Sequence, residues 1–175
     1  MEKENLRKEK IKNWLKNKNN LILIAIILFS VILRIYFFEI TQGQTLWWDE
    51  AEYGATAKHW AFGVPYDLNP QRPPLFQFLA SLIFRISLGE QTIKFFLVLL
   101  PSVLIIGAFY FLGLEMYNKK VGLIAAFLTA INWSLLFWSS RIQPDSFSLL
   151  FQILSILFMW KYWKNEKFSS IVSSA

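Results

Sequence analysis

Cysteine is absent from the 175 residues, and histidine occurs once, at His59. The first absence removes disulfides, thiolate metal sites and a cysteine nucleophile. The second leaves no His-Glu-x-x-His zinc helix, and a lone histidine in an aromatic loop reads as a hydrogen-bonded surface residue rather than a base. No glycine-rich phosphate loop and no serine nucleophile motif occurs either, which turns the reading away from soluble nucleotide enzymes and hydrolases. Charge is scarce as well, with 17% charged residues against 55% hydrophobic and 18% aromatic. The apolar residues stand in blocks instead of alternating with charge, so a single soluble core is excluded and a membrane interior is indicated.

A hydrocarbon layer about 30 Å thick takes roughly 20 mostly apolar helical residues to cross. Runs near that length occur at 21–38, 93–117 (with a kink expected at Pro101), 121–138 and 147–160. A shorter apolar run at 73–88 is too brief for a comfortable span. The expected fold is therefore all-α, a polytopic transmembrane helical bundle. Residues 1–20 form a basic segment, carrying seven of the 18 Lys and Arg against three Glu. Such a segment ahead of an apolar helix is retained in the cytoplasm, and nothing else in the chain supports a nucleic-acid surface. The run after it is followed by Arg34 and by no small-residue cleavage site, so it reads as a retained first span and not as a signal peptide. Arg34 itself faces either the protein interior or, by snorkelling, the interface.

Two topologies compete over 73–88. If it crosses, five spans put Lys119, Lys120, Lys161, Lys164 and Lys167 outside, against the charge rule. If it lies at the interface, four spans bring every basic cluster to the cytoplasmic side with the N-terminus, and residues 39–92 become one outer loop. The four-span reading is preferred. It also places Asp145, in the turn between the last two spans, on the same side as Asp49.

Three polar segments could carry chemistry. In Trp47-Trp48-Asp49-Glu50-Ala51-Glu52-Tyr53, adjacent carboxylates lie among aromatic rings that can desolvate an acid and tune it as a base, although the acids could also simply solvate a loop. In Asn69-Pro70-Gln71-Arg72-Pro73-Pro74-Leu75, prolines set a helix entry and Arg72 could clamp a lipid phosphate. Lys58 is a weaker candidate of the same kind. In Ser139-Ser140-Arg141-Ile142-Gln143-Pro144-Asp145-Ser146, Asp145 could cap the next helix, and Arg141 is accounted for if the two form a salt bridge.

In this order and spacing, the Asp49-Glu50-Ala51-Glu52-Tyr53 loop, the Arg72-Pro73-Pro74-Leu75 entry and the Arg141/Asp145 turn resemble the dolichyl-phosphate-mannose protein mannosyltransferase and aminoarabinose transferase group. These are polytopic glycosyltransferases of the GT-C fold, and the likeness runs over most of residues 20–165. It implies that 21–175 is the N-terminal part of a GT-C module, with short juxtamembrane helices in the outer loop. It also implies transfer of a sugar from a polyprenyl phosphate to a protein, lipid or glycan acceptor on the outer face, with inversion. Asp49 would be the base, Glu50 would orient it or the acceptor, and Asp145 would be the second acid of the cavity. Arg72 and Arg141 would take the phosphate, with Tyr53 and Lys58 as further substrate contacts. A divalent metal held by Asp49 and Asp145 is an open possibility within that group. Members have many more spans, so the likeness further implies a fragment that is inactive alone or needs a complementing partner. The competing reading is a non-enzymatic module, part of a transporter or a scaffold; a transporter would set its ionisable groups near mid-membrane.

Overall fold

The computed structural model describes residue 9 and residues 16–164, and they are helical with short connections. Most of the basic segment 1–20, together with Lys167, lies outside the described residues. Helix α1 (Lys18–Thr41) begins where the Asn17 side chain accepts a hydrogen bond from the Asn19 amide at 3.0 Å. Its 24 residues extend about 36 Å, more than a bilayer core requires. Helix α2 (Trp48–Phe62) follows a six-residue loop and stops at Gly63, whose φ of 71° lies in the left-handed region that glycine enters without penalty. Helix α3 (Pro74–Arg85) starts on a proline, the residue that loses least at a first turn. Helix α4 (Glu90–Ile93) runs through a π-helical stretch, Lys94–Leu99, into helix α5 (Leu100–Met116). Helices α6 (Lys119–Ile131), α7 (Trp133–Trp138) and α8 (Asp145–Lys164) complete the described chain.

Three helices among the described residues are long and apolar enough to cross a membrane: Lys18–Thr41, Glu90–Met116 and Asp145–Lys164. These correspond to the expected spans at 21–38, 93–117 and 147–160, each extended by a few residues. Pro101 causes no break. Its missing amide falls just after the π-helical turn, where the Leu100 amide already reaches back five residues to the Phe95 carbonyl.

The run expected as one span at 121–138 is instead two helices. At Asn132 the backbone becomes extended (ψ 118°), and its side chain accepts from the Leu135 amide at 3.0 Å, capping α7. An asparagine that can satisfy the next helix start competes with continuation of the first. The break exposes carbonyls at the end of α6, and Arg34 answers one of them. Fully buried, it donates to the Ala130 carbonyl at 3.3 Å, to the Ser102 hydroxyl at 3.0 Å and to Ser30 on its own helix. A cation at a helix C-terminus also opposes the negative end of its dipole. Of the two placements open to Arg34, the interior is the one adopted, and its function there is to tie α1, α5 and the broken α6 together.

Close packing finishes the bundle. A Cβ on Gly122 would stand 2.6 Å from the Tyr110 carbonyl oxygen, and one on Gly113 would stand 2.9 Å from the Gly122 Cα. The α5–α6 approach therefore requires glycine on both sides. Leu23, Ile106, Tyr110, Ala126 and Ala130 form the core between α1, α5 and α6. Tyr53, Ala57, Phe76, Phe84, Ile93 and Ile142 form another, joining α2, α3, α4 and the turn before α8.

Polar groups sort to the two ends of the bundle. At one end, Asn17, Asn20, Leu114 and Lys119 surround a single hollow, and Glu115 pairs with Lys161 at 3.4 Å and Lys164 at 3.6 Å. The start of α1, the α5–α6 turn and the end of α8 thus share a basic end. The opposite end holds α2, α3 and the loops around them. Helix α3 is only 12 residues, about 18 Å, and its Arg85 bonds the Trp60 carbonyl of α2 at 2.8 Å. It packs beside α2.

Candidate active site

Helix α2 divides its acids between two faces. Glu50, Tyr53, Gly54 and Ala57 recur at helical spacing and are buried, whereas Asp49 and Glu52 stand three residues apart on the open side. The two sets do different things.

Glu50 is a framework residue. It is 0% exposed, and its carboxylate accepts from the Trp47 amide at 2.9 Å, the Ile142 amide at 2.8 Å and the Arg141 guanidinium at 3.1 Å. Arg141 is itself buried and also donates to the Gln44 side-chain oxygen at 2.6 Å. Its guanidinium lies 4.1 Å from the Trp47 ring centre and 5.5 Å from that of Phe137. A buried charge needs such compensation, and here the pair locks the start of α2 to the turn before α8, 91 residues away. The phosphate role expected of Arg141 is therefore not supported, because its nitrogens face Glu50, Gln44 and aromatic rings. Nor does it bridge to Asp145, the alternative that the sequence left open. Glu50 likewise orients the backbone rather than a base or acceptor.

The open face carries a second polar cluster. Arg72 donates through Nε to Glu52 at 2.8 Å and through NH2 to Asp49 at 2.6 Å. The second oxygen of Glu52 accepts from the Asn69 amide nitrogen at 2.7 Å, and the Asn69 side chain in turn accepts from the Gln71 amide at 3.0 Å. The Arg72 guanidinium lies 5.2 Å from the centre of the Tyr53 ring, whose edge packs on Phe76. These contacts show in the protonation behaviour. Hydrogen bonding from Arg72, reinforced by Asn69 and opposed by burial, holds the Glu52 carboxyl below its ordinary value. Glu52 and then Asp49 hold the Arg72 guanidinium more firmly protonated. Burial pushes the Tyr53 phenol up; Arg72 opposes the rise, and the carboxylates of Asp49 and Asp145 add to it.

Asp145 follows the turn whose Arg141 and Ile142 are bonded to Glu50 at the start of α2. It is the exposed first residue of α8, where the helix dipole favours an acid, and its charge reaches the same phenol that Asp49 reaches. Asp49, Tyr53, Arg72 and Asp145 therefore collect at one end of the bundle. Beside Arg72 opens a cleft of about 570 Å³ lined by Trp48, Glu52, Tyr66, Asn69 and Arg72, a size suited to a sugar headgroup, whereas Asp145 lines a separate hollow with Trp138 and Gln152.

Lys58 does not join this cluster. Nine residues beyond Asp49, it projects about half a turn away and pairs with Glu90 at 2.8 Å, tying α2 to α4. Among the described residues no three His, Asp or Glu side chains are placed to hold a metal ion. Glu52 and Asn69 are site residues that the sequence reading passed over. The signal was available: Glu52 follows Asp49 by three residues, and Asn69 precedes Arg72 by three.

Long apolar helices with polar clusters at the two ends of the bundle define a polytopic membrane protein. The chain belongs to the dolichyl-phosphate-mannose-protein mannosyltransferase family, whose profile matches residues 71–175. Membership places it among the membrane glycosyltransferases. The matched segment opens at the Arg72 motif and includes Arg141 and Asp145, while the α2 acids precede it. Comparison with curated proteins and with solved structures returns no match.

Proposed function

We propose that this protein takes part in moving a sugar from a polyprenyl-phosphate donor to a hydroxyl on a protein, lipid or glycan acceptor, with inversion at the anomeric carbon. The observation that carries the reading is the Asp49–Arg72 contact at 2.6 Å beside an open cleft. A candidate base and a phosphate-matching guanidinium lie within one headgroup's reach of each other.

The chemistry follows from that pairing. The acceptor oxygen attacks the anomeric carbon from the side opposite the phosphate, and Asp49 takes the proton that the attacking hydroxyl loses. The carbon–oxygen bond to phosphate breaks, and the electron pair leaves on the phosphate oxygen. Arg72 neutralises that developing charge, so no general acid is needed on the leaving side. Asp145, at the start of α8, is the second acid in this proposal. Glu50 and Arg141 hold the floor of the site.

The basic end, with Lys119, Lys120, Lys161 and Lys164, belongs in the cytosol by the charge rule, and the N-terminus with it. The acidic end then faces away from the cytosol, across the plasma membrane in a prokaryote. Partners are the phosphosugar lipid, the acceptor and bulk membrane lipid. A transporter reading would draw on the buried span cations Arg34 and Lys94, of which Arg34 gives Nε and NH1 to serines and the Ala130 carbonyl.

The test is transfer of radiolabelled sugar from a polyprenyl-phosphate sugar in membranes containing the protein. Asp49→Asn should lower the rate by about 10²–10⁴-fold, the range for removing a general base, with the protein still present at normal level. A rate equal to that of the parent removes Asp49 from the mechanism.

A further inference from the structure

The two carboxylates on Arg72 are held unequally. Glu52 spans Nε at 2.8 Å and NH2 at 2.5 Å with one oxygen, keeps its second oxygen on Asn69, and its side chain is 11% exposed. Asp49 makes one contact, to NH2, and its side chain is 46% exposed. A phosphate that binds the guanidinium through NH1 and NH2 competes with Asp49 for NH2, while Glu52 keeps Nε.

Resting on the reading of Arg72 as the phosphate site, we propose that Glu52 is a positioning residue that keeps Arg72 in place while the donor's phosphate displaces Asp49 from it. Asp49 then stands in for the phosphate in the empty site. Its carboxylate is released to act as a base only when the donor is bound. This couples the order of events to one guanidinium: the donor binds first, and the base becomes available second. An unoccupied site therefore does not present a free base to water or to stray acceptors.

Two acids on one cation should then affect anion binding with opposite signs. Simple charge counting predicts otherwise, because removing either negative charge would tighten a phosphate. The experiment is equilibrium binding of radiolabelled undecaprenyl phosphate to the full chain in phosphatidylcholine nanodiscs at fixed pH. Asp49→Asn should tighten binding on the order of fivefold, the effect of removing one competing partner from a half-exposed ion pair. Glu52→Gln should weaken binding by a similar factor, and in that background Asp49→Asn should no longer tighten it. Both substitutions are isosteric, and unchanged helical circular dichroism identifies folded samples. If both single variants shift affinity in the same direction, the positioning role is wrong while Arg72 remains the phosphate site. If Arg72→Gln binds as well as the parent, the phosphate reading falls and this inference falls with it.

Discussion

Removing one member of the Glu50–Arg141 pair should unfold the acidic end, while removing both should be far milder than the sum. The carboxylate receives two backbone amides and a guanidinium, and it is completely buried. Arg141→Met leaves an uncompensated buried anion, and Glu50→Met leaves a buried cation and two backbone donors without partners. Each single change should therefore cost about 3–5 kcal/mol. In the double variant Glu50→Met/Arg141→Met no buried charge remains, and the methionines can pack against Trp47, Phe137 and Ile142. Its cost should be about that of one single variant, which gives a coupling energy of about 3 kcal/mol. Equilibrium unfolding in mixed micelles, followed by tryptophan emission, measures all four corners of the cycle. Additivity within about 0.5 kcal/mol would show that the two groups do not act as a pair and would refute the framework role given to them.

Other substitutions test separate parts of the structure. Gly122→Ala should destabilise by about 1–3 kcal/mol because its methyl meets the Tyr110 carbonyl, whereas Gly107→Ala, with nothing within 4 Å, should be neutral or stabilising by up to about 1 kcal/mol. A thermal midpoint unchanged by Gly122→Ala would contradict the close α5–α6 approach. Arg34→Met should loosen α1 from α6 by orphaning the Ala130 carbonyl, giving faster amide exchange at residues 128–135 than in the parent; equal exchange would remove Arg34 as the cap. The folded-state value of Glu52 is depressed, so its stabilising contribution is complete above the ordinary glutamate value near 4.3 and is lost as pH falls through the depressed value. The thermal-midpoint gap between the parent and Glu52→Gln should accordingly close in acid, and a gap independent of pH would mean that the Arg72 contact contributes nothing.

Much of the fold was legible because length and apolar composition alone determine which segments can cross a bilayer. The segments at 21–38, 93–117 and 147–160 needed no knowledge of partners. Asn132 shows where that signal fails: a single polar residue in an apolar run leaves mean hydropathy nearly unchanged, yet its side chain satisfies the next helix start and divides the span. Pro101 follows a π-helical turn that hydropathy alone does not signal, and the helix continues through it. In the site, sequence adjacency misled for Glu50. Residues one apart on a helix point about 100° apart, so Asp49 stands on the open side against Arg72 and Glu50 faces the core. Arg141 could not be assigned from its neighbours, because its partner is 91 positions distant and only the folded turn brings them together.

The central claim is spatial: Asp49 and Asp145, nearly a hundred residues apart, open to the same non-cytosolic face. Since the parent chain contains no cysteine, single Asp49→Cys and Asp145→Cys variants can be labelled in intact cells with a membrane-impermeant thiol reagent without background. Both positions should react from outside at comparable rates, while a cysteine at Lys119 should not; labelling of position 49 from outside and of position 145 only after lysis would contradict a shared active centre.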